Sequence, residues 1–409
     1  MTSRRAALAI AALALAALAV TSFLVSSRPP RAINLQSTQF AGKAQTNPQT
    51  TRAGPAQTSD SSADSSAPAV TRVWPQPTPF TSHLVATLTN LDFTQGPITE
   101  EQAVIWKHTL QRLTEQGPEA VPGIHEFLAQ NRELDFTSNP GGNLLGQSSL
   151  RSAMINALGQ IGGPDATAAL LEALQTTTLP TEIPLLAKIL DEQNPGQYGQ
   201  QILKAVTDVL TMAAAGQLPL EWDVAPLFKL VQADGDSATA AALGEFEGPY
   251  KYYATMALAG MPDAAGLPEL IRQSKSSDDP GRRDFAAQML AQIATQSPDA
   301  TAALIDQAKA DQISDAAWRK MAIALAVDHY QIGQPPGDSD AGANPIPGLK
   351  TFHVDIHNQN FYSLPLAPGD HVSERLALID QLLEAAASNP AAQSALRSAR
   401  TSLTTIAAN

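Results

Sequence analysis

The chain has 409 residues, a net charge of −13, 44% hydrophobic residues, 5% aromatics, 30 prolines and no cysteine. Without cysteine, disulfides, thiolate metal sites and thiol nucleophiles are all excluded. Residues 1–80 hold seven basic and two acidic side chains, which leaves the remainder at −18; so acidic a body repels phosphate backbones, and nucleic acid is not an expected partner.

The chain opens Met-Thr-Ser-Arg-Arg, followed by an apolar segment from Ala6 to Val25. As a helix, such a segment spans about 30 Å, enough to cross a bilayer. Arg4 and Arg5 favour a cytoplasmic N-terminus with the rest sent across. Residues 1–25 therefore read as a signal anchor or a signal peptide. Uncleaved, residues 6–25 would hold the chain in a bacterial inner membrane with a periplasmic body; cleaved, the body would be periplasmic or secreted. Residues 26–80 are rich in Ser, Thr, Ala and Pro, least complex at 58–67. They cannot bury enough apolar surface to offset the entropy of ordering, so they are expected to form a disordered linker. Trp74 and Phe80 mark where the chain should dock onto the folded part.

Residues 81–330 have a helical pattern with short Gly/Pro/Asn breaks, and no strand-like alternation before about residue 350. Pro-Asp-Ala-Thr-Ala-Ala-Leu stands at 164–170 and again at 298–304; a third copy spans 257–271, and weaker ones 117–124 and 222–231. The acidic residues of these copies, Glu119, Asp165, Asp223, Asp263 and Asp299, are spaced by 46, 58, 40 and 36 residues. Each is expected in the first turn of the second helix of a pair, where the helix dipole favours negative charge, with proline at the helix start. Small residues at Gly159, Gly162 and Gly260 should let the first helix end and turn. Leu170, Leu171 and Leu174 supply a buried stripe. The long interval is assigned to insertions at Thr176–Gly199 and Ala233–Gly248. A two-helix unit of about 40 residues cannot bury its stripe alone, so neighbouring units must stack.

Arg151-Ser-Ala-Met-Ile-Asn-Ala-Leu-Gly-Gln-Ile-Gly-Gly-Pro-Asp-Ala166 resembles a HEAT-type repeat, of the short bacterial kind also seen in phycobilin lyase-like proteins. The likeness extends loosely over residues 100–330. It implies an all-α fold, a right-handed α-solenoid of helix pairs preceded by the N-terminal hydrophobic helix and the linker, and a protein-binding scaffold. Beyond it, residues 331–372 read as an irregular loop with an extended stretch at Leu349–Leu366. The helices Ser373–Ala387 and Pro390–Ala407 form a capping pair over 373–409.

Two groups of residues are candidate sites. In Thr351-Phe-His-Val-Asp-Ile-His-Asn358, an extended backbone would put His353, Asp355 and His357 on one face, a donor set suited to a divalent metal. In Glu245-Phe-Glu-Gly-Pro-Tyr-Lys-Tyr-Tyr-Ala254, Tyr250, Tyr252 and Tyr253 are candidate partner contacts. Tyr250 and Tyr253, three apart, are placed to share the buried face, with Tyr252 exposed. No phosphate-cradling loop, nucleophile elbow or His-Glu-x-x-His is present. These readings point to an exported, membrane-tethered scaffold that binds a protein partner, with no cofactor and no catalytic activity. The alternatives are a metal-binding protein or metal-dependent enzyme using His353, Asp355 and His357, a periplasmic foldase-like chaperone, and a structural cell-envelope component.

Overall fold

The computed structural model describes residues 72–409, other than 92, 220–221, 327–328, 333–348, 353–361, 366–371 and 408–409. The hydrophobic segment 6–25, most of the expected linker and the His353, Asp355 and His357 group lie outside the described residues. Among the described residues, no helix is long and apolar enough to cross a membrane.

Sixteen α-helices follow one another among the described residues: α1 Pro79–Thr89, α2 Glu100–Glu115, α3 Val121–Ala129, α4 Leu150–Ile161, α5 Gly163–Thr176, α6 Glu182–Gln193, α7 Gly199–Ala214 and α8 Ala225–Asp234. The second half holds α9 Ser237–Gly244, α10 Lys251–Gly260, α11 Leu267–Ser276, α12 Pro280–Ile293, α13 Pro298–Lys309, α14 Asp315–Ala326, α15 Val372–Ala385 and α16 Pro390–Ala407. Three short strands, β1 His329–Ile332, β2 Leu349–Phe352 and β3 Tyr362–Pro365, lie between α14 and α15.

The packing follows one rule. Each helix lies against the helix two positions ahead in the chain, so the even-numbered helices α2 to α16 form one layer and the odd-numbered helices α1 to α15 a second. This is the arrangement of a solenoid, in which each unit contacts its neighbours. Buried residues form one continuous core from Leu84 to Leu403 between the layers. Leu170 and Leu174 are fully buried, each a contribution of about 1.5–3 kcal/mol, while Leu171 is only partly covered. Local chemistry sets the helix starts. Thr99 with Gln102, and Ser149 with Ser152, form reciprocal caps on α2 and α4, and Asp279 and Ser297 cap α12 and α13.

The odd-layer helices α5, α7, α9, α11 and α13 start at 163, 199, 237, 267 and 298, at intervals of 36, 38, 30 and 31 residues. This replaces the 58-residue interval expected from the acidic residues. Thr176–Gly199 and Ala233–Gly248 are not insertions: they contain α6 and α9, regular members of the two layers. Asp223 is correspondingly misassigned by its motif. It precedes α8, in the even layer, where its carboxylate accepts the Ala225 N–H at 2.9 Å. Asp165 and Asp299 do sit in first turns. Asp263 instead adopts a left-handed φ of 52° in a short turn before α11.

Strand content also differs from expectation. β1 forms at 329–332, before residue 350, and pairs in parallel with β2 (His329 with Leu349) and antiparallel with β3 (Ile332 with Tyr362). The extended stretch expected at 349–366 holds two strands on opposite sides of β1.

Candidate functional site

Helices α4 and α5 show how one unit is locked. Gly162 and Gly163 connect them with φ of +65° and +78°, a left-handed pair that glycine adopts without Cβ strain. At Gly159 the helix is approached closely by α6, since a Cβ there would lie 3.0 Å from Ile189 Cγ2. Arg151, 1% exposed, reaches three elements at once. Its Nε and Nη2 donate to the two Glu182 oxygens at 2.5 and 3.0 Å, and its Nη1 donates to the Leu128 carbonyl at 2.8 Å. The Thr177 hydroxyl donates to Glu182 Oε2 at 2.6 Å. The end of α3 and the starts of α4 and α6 are thereby joined through one buried charge pair.

In the even layer, α2 and α4 are separated by an open groove of about 480 Å³. Trp106, Leu110, Leu145, Ala153 and Ala157 form its apolar floor, and Lys107, Gln111, Gln147, Asn156 and Gln160 its polar rim. Asn156 Nδ2 donates to Gln147 Oε1 at 2.9 Å and Gln111 Nε2 to Glu115 Oε1 at 2.7 Å, which engages three of the rim amides through one bond each. Lys107 and Gln160 are exposed, and their side chains make no hydrogen bond among the described residues. Primary amides carry both a donor and an acceptor, so this rim matches the N–H and C=O groups of an extended polypeptide. The floor offers apolar cover to its side chains.

The odd layer carries a docked strap. Arg72 pairs with Asp165 at the start of α5, and its guanidinium lies 4.5 Å from the Trp74 ring centre. The Trp74 indole N–H donates to Glu172 at 3.0 Å, and its ring stacks on His125 of α3 at 4.3 Å. His125 Nε2 lies 2.5 Å from Glu172 Oε2. Trp74 is thus the docking point expected from the sequence, and its contacts with α3 and α5 fall within residues 26–80, the span read as linker. Phe80 is 47% exposed beneath the Arg112 guanidinium.

The tyrosines have different roles from one another. Tyr250 and Tyr253 are 2% and 0% exposed, packed on Phe228 of α8 with ring centres 6.5 and 5.4 Å away. Burial pushes both phenols above their ordinary pKa. Their rings are in the core, so neither presents a contact surface in this structure. Tyr252 is half-buried, edge-on to Phe285 of α12 at 5.3 Å, with Lys251 Nζ 5.1 Å from its ring centre. No cluster of three or more metal-ligating side chains occurs among the described residues. The groove amides do not stand out in the sequence because they are divided between α2, α4 and the loop before α4. Their trace is the i, i+4 spacing of Lys107 with Gln111 and of Asn156 with Gln160, which places each pair on one helix face.

Residues 150–176 match the PBS lyase HEAT-like repeat. The chain carries a HEAT-like repeat. The matched span is α4 with α5, from the Arg151 lock through the double glycine to the end of the leucine stripe. No curated protein and no solved structure matches the chain. The HEAT-like unit therefore contributes one wall of the α2–α4 groove, through Ala153, Asn156, Ala157 and Gln160.

Proposed function

We propose that this protein is an exported scaffold without catalytic activity, a right-handed HEAT-like solenoid tethered to the membrane by residues 6–25, that binds an extended segment of another protein in the α2–α4 groove. The observation that carries this reading is the groove itself, with an apolar floor, a rim of amides, and Lys107 and Gln160 free to bond. HEAT-like repeats act as helical scaffolds for protein interaction, and the repeat forms one wall of this groove. A linker over residues 26–71 would let the body search a volume beside the membrane. Lys107 favours a partner segment with an acidic residue at that end of the groove.

The test is a paired substitution, Lys107→Glu with Gln160→Glu, at two exposed positions that leave the core intact. Quantitative affinity capture from the native host should lose a defined protein from the variant relative to wild type. Recovery of the same proteins at the same abundance would overturn the groove as the binding site. Carbonate extraction tests the tether separately: the full chain should stay with the membrane pellet, and a chain lacking residues 1–25 should not. A full chain recovered wholly in the soluble cytosolic fraction would overturn export and tethering.

A further inference from the structure

Among the described residues, the first even-layer helix, α2, has α4 on one side and no even-layer helix before it. The last, α16, is terminal in the same way. The two ends are finished differently. The exposed positions of α16 include Ser394, Arg397, Ser398, Arg400, Thr401, Ser402, Thr404 and Thr405, a polar outer face. In contrast, three of the four large hydrophobic residues that stand exposed among the described residues are on the first two helices: Phe80 on α1, and Val104 at 66% and Ile105 at 63% on α2. A solenoid end in solvent is normally polar, so an apolar one is a surface to be covered.

The exposed face of α2 has an order that selects its cover. Glu101, Ile105, His108 and Arg112 are all exposed and follow a 4-3-4 spacing, one seam along the helix. Acid stands at one end of the seam and base at the other, about 16 Å apart at 1.5 Å per residue. We propose that α2 is a self-association surface, on which a second copy of this chain docks its own α2 antiparallel about a two-fold axis level with Trp106 and Lys107. In that register Glu101 meets Arg112 of the second copy, twice by symmetry, and Ile105 packs over His108, also twice. Val104 flanks the seam on one side. A parallel pairing sets Glu101 against Glu101 and Arg112 against Arg112, so the charges select the antiparallel form. One helix from each copy buries less than the ~800 Å² per partner of a standard interface, so the dimer is weak and concentration-dependent.

The full chain has no cysteine, which makes a direct test available. Single-cysteine variants Glu101→Cys and Arg112→Cys, oxidised as a mixture, should give a disulfide-linked dimer on a non-reducing gel. Each variant oxidised alone should give little, because in this register its own sulfurs are about 16 Å apart along the helix axis. Adding Ile105→Asp to both should abolish the cross-link. In sedimentation, Glu101→Arg and Arg112→Glu should each weaken the dimer about tenfold, since two exposed ion pairs become repulsions. The double reversal should restore wild-type association. Cross-linking of either variant alone as efficient as the mixture, no cross-link in the mixture, or a double reversal as weak as the single ones would each overturn the proposal.

Discussion

Arg151→Leu should destabilise the α3–α6 region by about 3–5 kcal/mol, the range for breaking a buried ion pair by removing one partner. The magnitude follows from what remains. Glu182 is 3% exposed and would keep only the Thr177 hydroxyl as donor, while the Leu128 carbonyl loses its buried partner. The leucine refills part of the volume but none of the bonds. The double variant Arg151→Leu/Glu182→Leu removes both charges and should recover most of the loss, leaving about 1 kcal/mol, since the Leu128 carbonyl still accepts the Asn131 N–H and the Thr177 oxygen the Leu179 N–H. Urea unfolding followed by circular dichroism measures the totals, and amide exchange locates them. Because each unit contacts only its neighbours, protection should fall in α3, α4 and α6 and stay unchanged in α14 and α16. A single-variant cost under about 1 kcal/mol, or a double variant as unstable as the single, would show that Glu182 finds water instead and that the pair is not the lock.

Trp74→Ala should free the strap, raising exchange in α3 and α5 and exposing His125 to solvent, at a cost of about 1–2 kcal/mol for the lost stacking and hydrogen bond. Asp279 is held below its ordinary pKa of 3.8 by the Lys251 ammonium. A lowered folded-state value contributes stability fully above the ordinary value and loses it as the pH falls through the folded one. The cost of Asp279→Asn, about 1 kcal/mol at neutral pH, should therefore vanish on acidification below 3.8, as read by thermal melts across pH. Gly162→Ala should cost about 1–2 kcal/mol from the left-handed φ alone, since nothing stands near its Cβ. Gly266→Ala should cost more, because its Cβ would collide with the Leu258 carbonyl oxygen. Equal melting temperatures for these two variants would contradict that ordering.

The repeat was legible wherever it carries its own punctuation. Pro-Asp-Ala at 164–166 and 298–300 marks true first turns because proline and an acidic side chain both suit a helix start. That same chemistry made Asp223 misleading: it reports the start of a helix and carries no information about which layer the helix joins. Helices α6 and α9 lack the motif and so read as insertions in the sequence, yet Ile183, Leu186 and Leu190 bury one face of α6 as any repeat helix does. The Arg151–Glu182 pair and the α2–α4 groove were illegible for a different reason. Each joins residues separated by roughly 30 to 50 positions, and only the stacking brings them together.

Helix α12 shows what such hidden contacts do for the stack. Ten of its fourteen residues are buried, among them the polar Arg282, Asp284, Gln288 and Gln292, so no amphipathic pattern distinguishes an outer face. Arg282 Nη2 donates to the Gly244 carbonyl at 2.7 Å and also faces the Leu243 carbonyl, closing the C-terminal end of α9. Asp284 accepts the Ser314 hydroxyl at 2.7 Å, just before α14. Apolar faces rich in alanine and leucine can slide between neighbouring registers, whereas each of these bonds is made in one register alone. α9 has only eight residues, too few to hold its last turn by helix propensity alone. Arg282→Met keeps most of the apolar stem and removes the donors, leaving the Gly244 carbonyl without its donor and the Leu243 carbonyl with the Phe246 N–H, at about 1–2 kcal/mol. The loss should concentrate where those carbonyls are. Amide exchange in α9 should accelerate about tenfold while α5 and α16 keep wild-type protection. An α9 that exchanges as slowly as in wild type would mean that water replaces the guanidinium there, and that the apolar faces alone set the register of the stack.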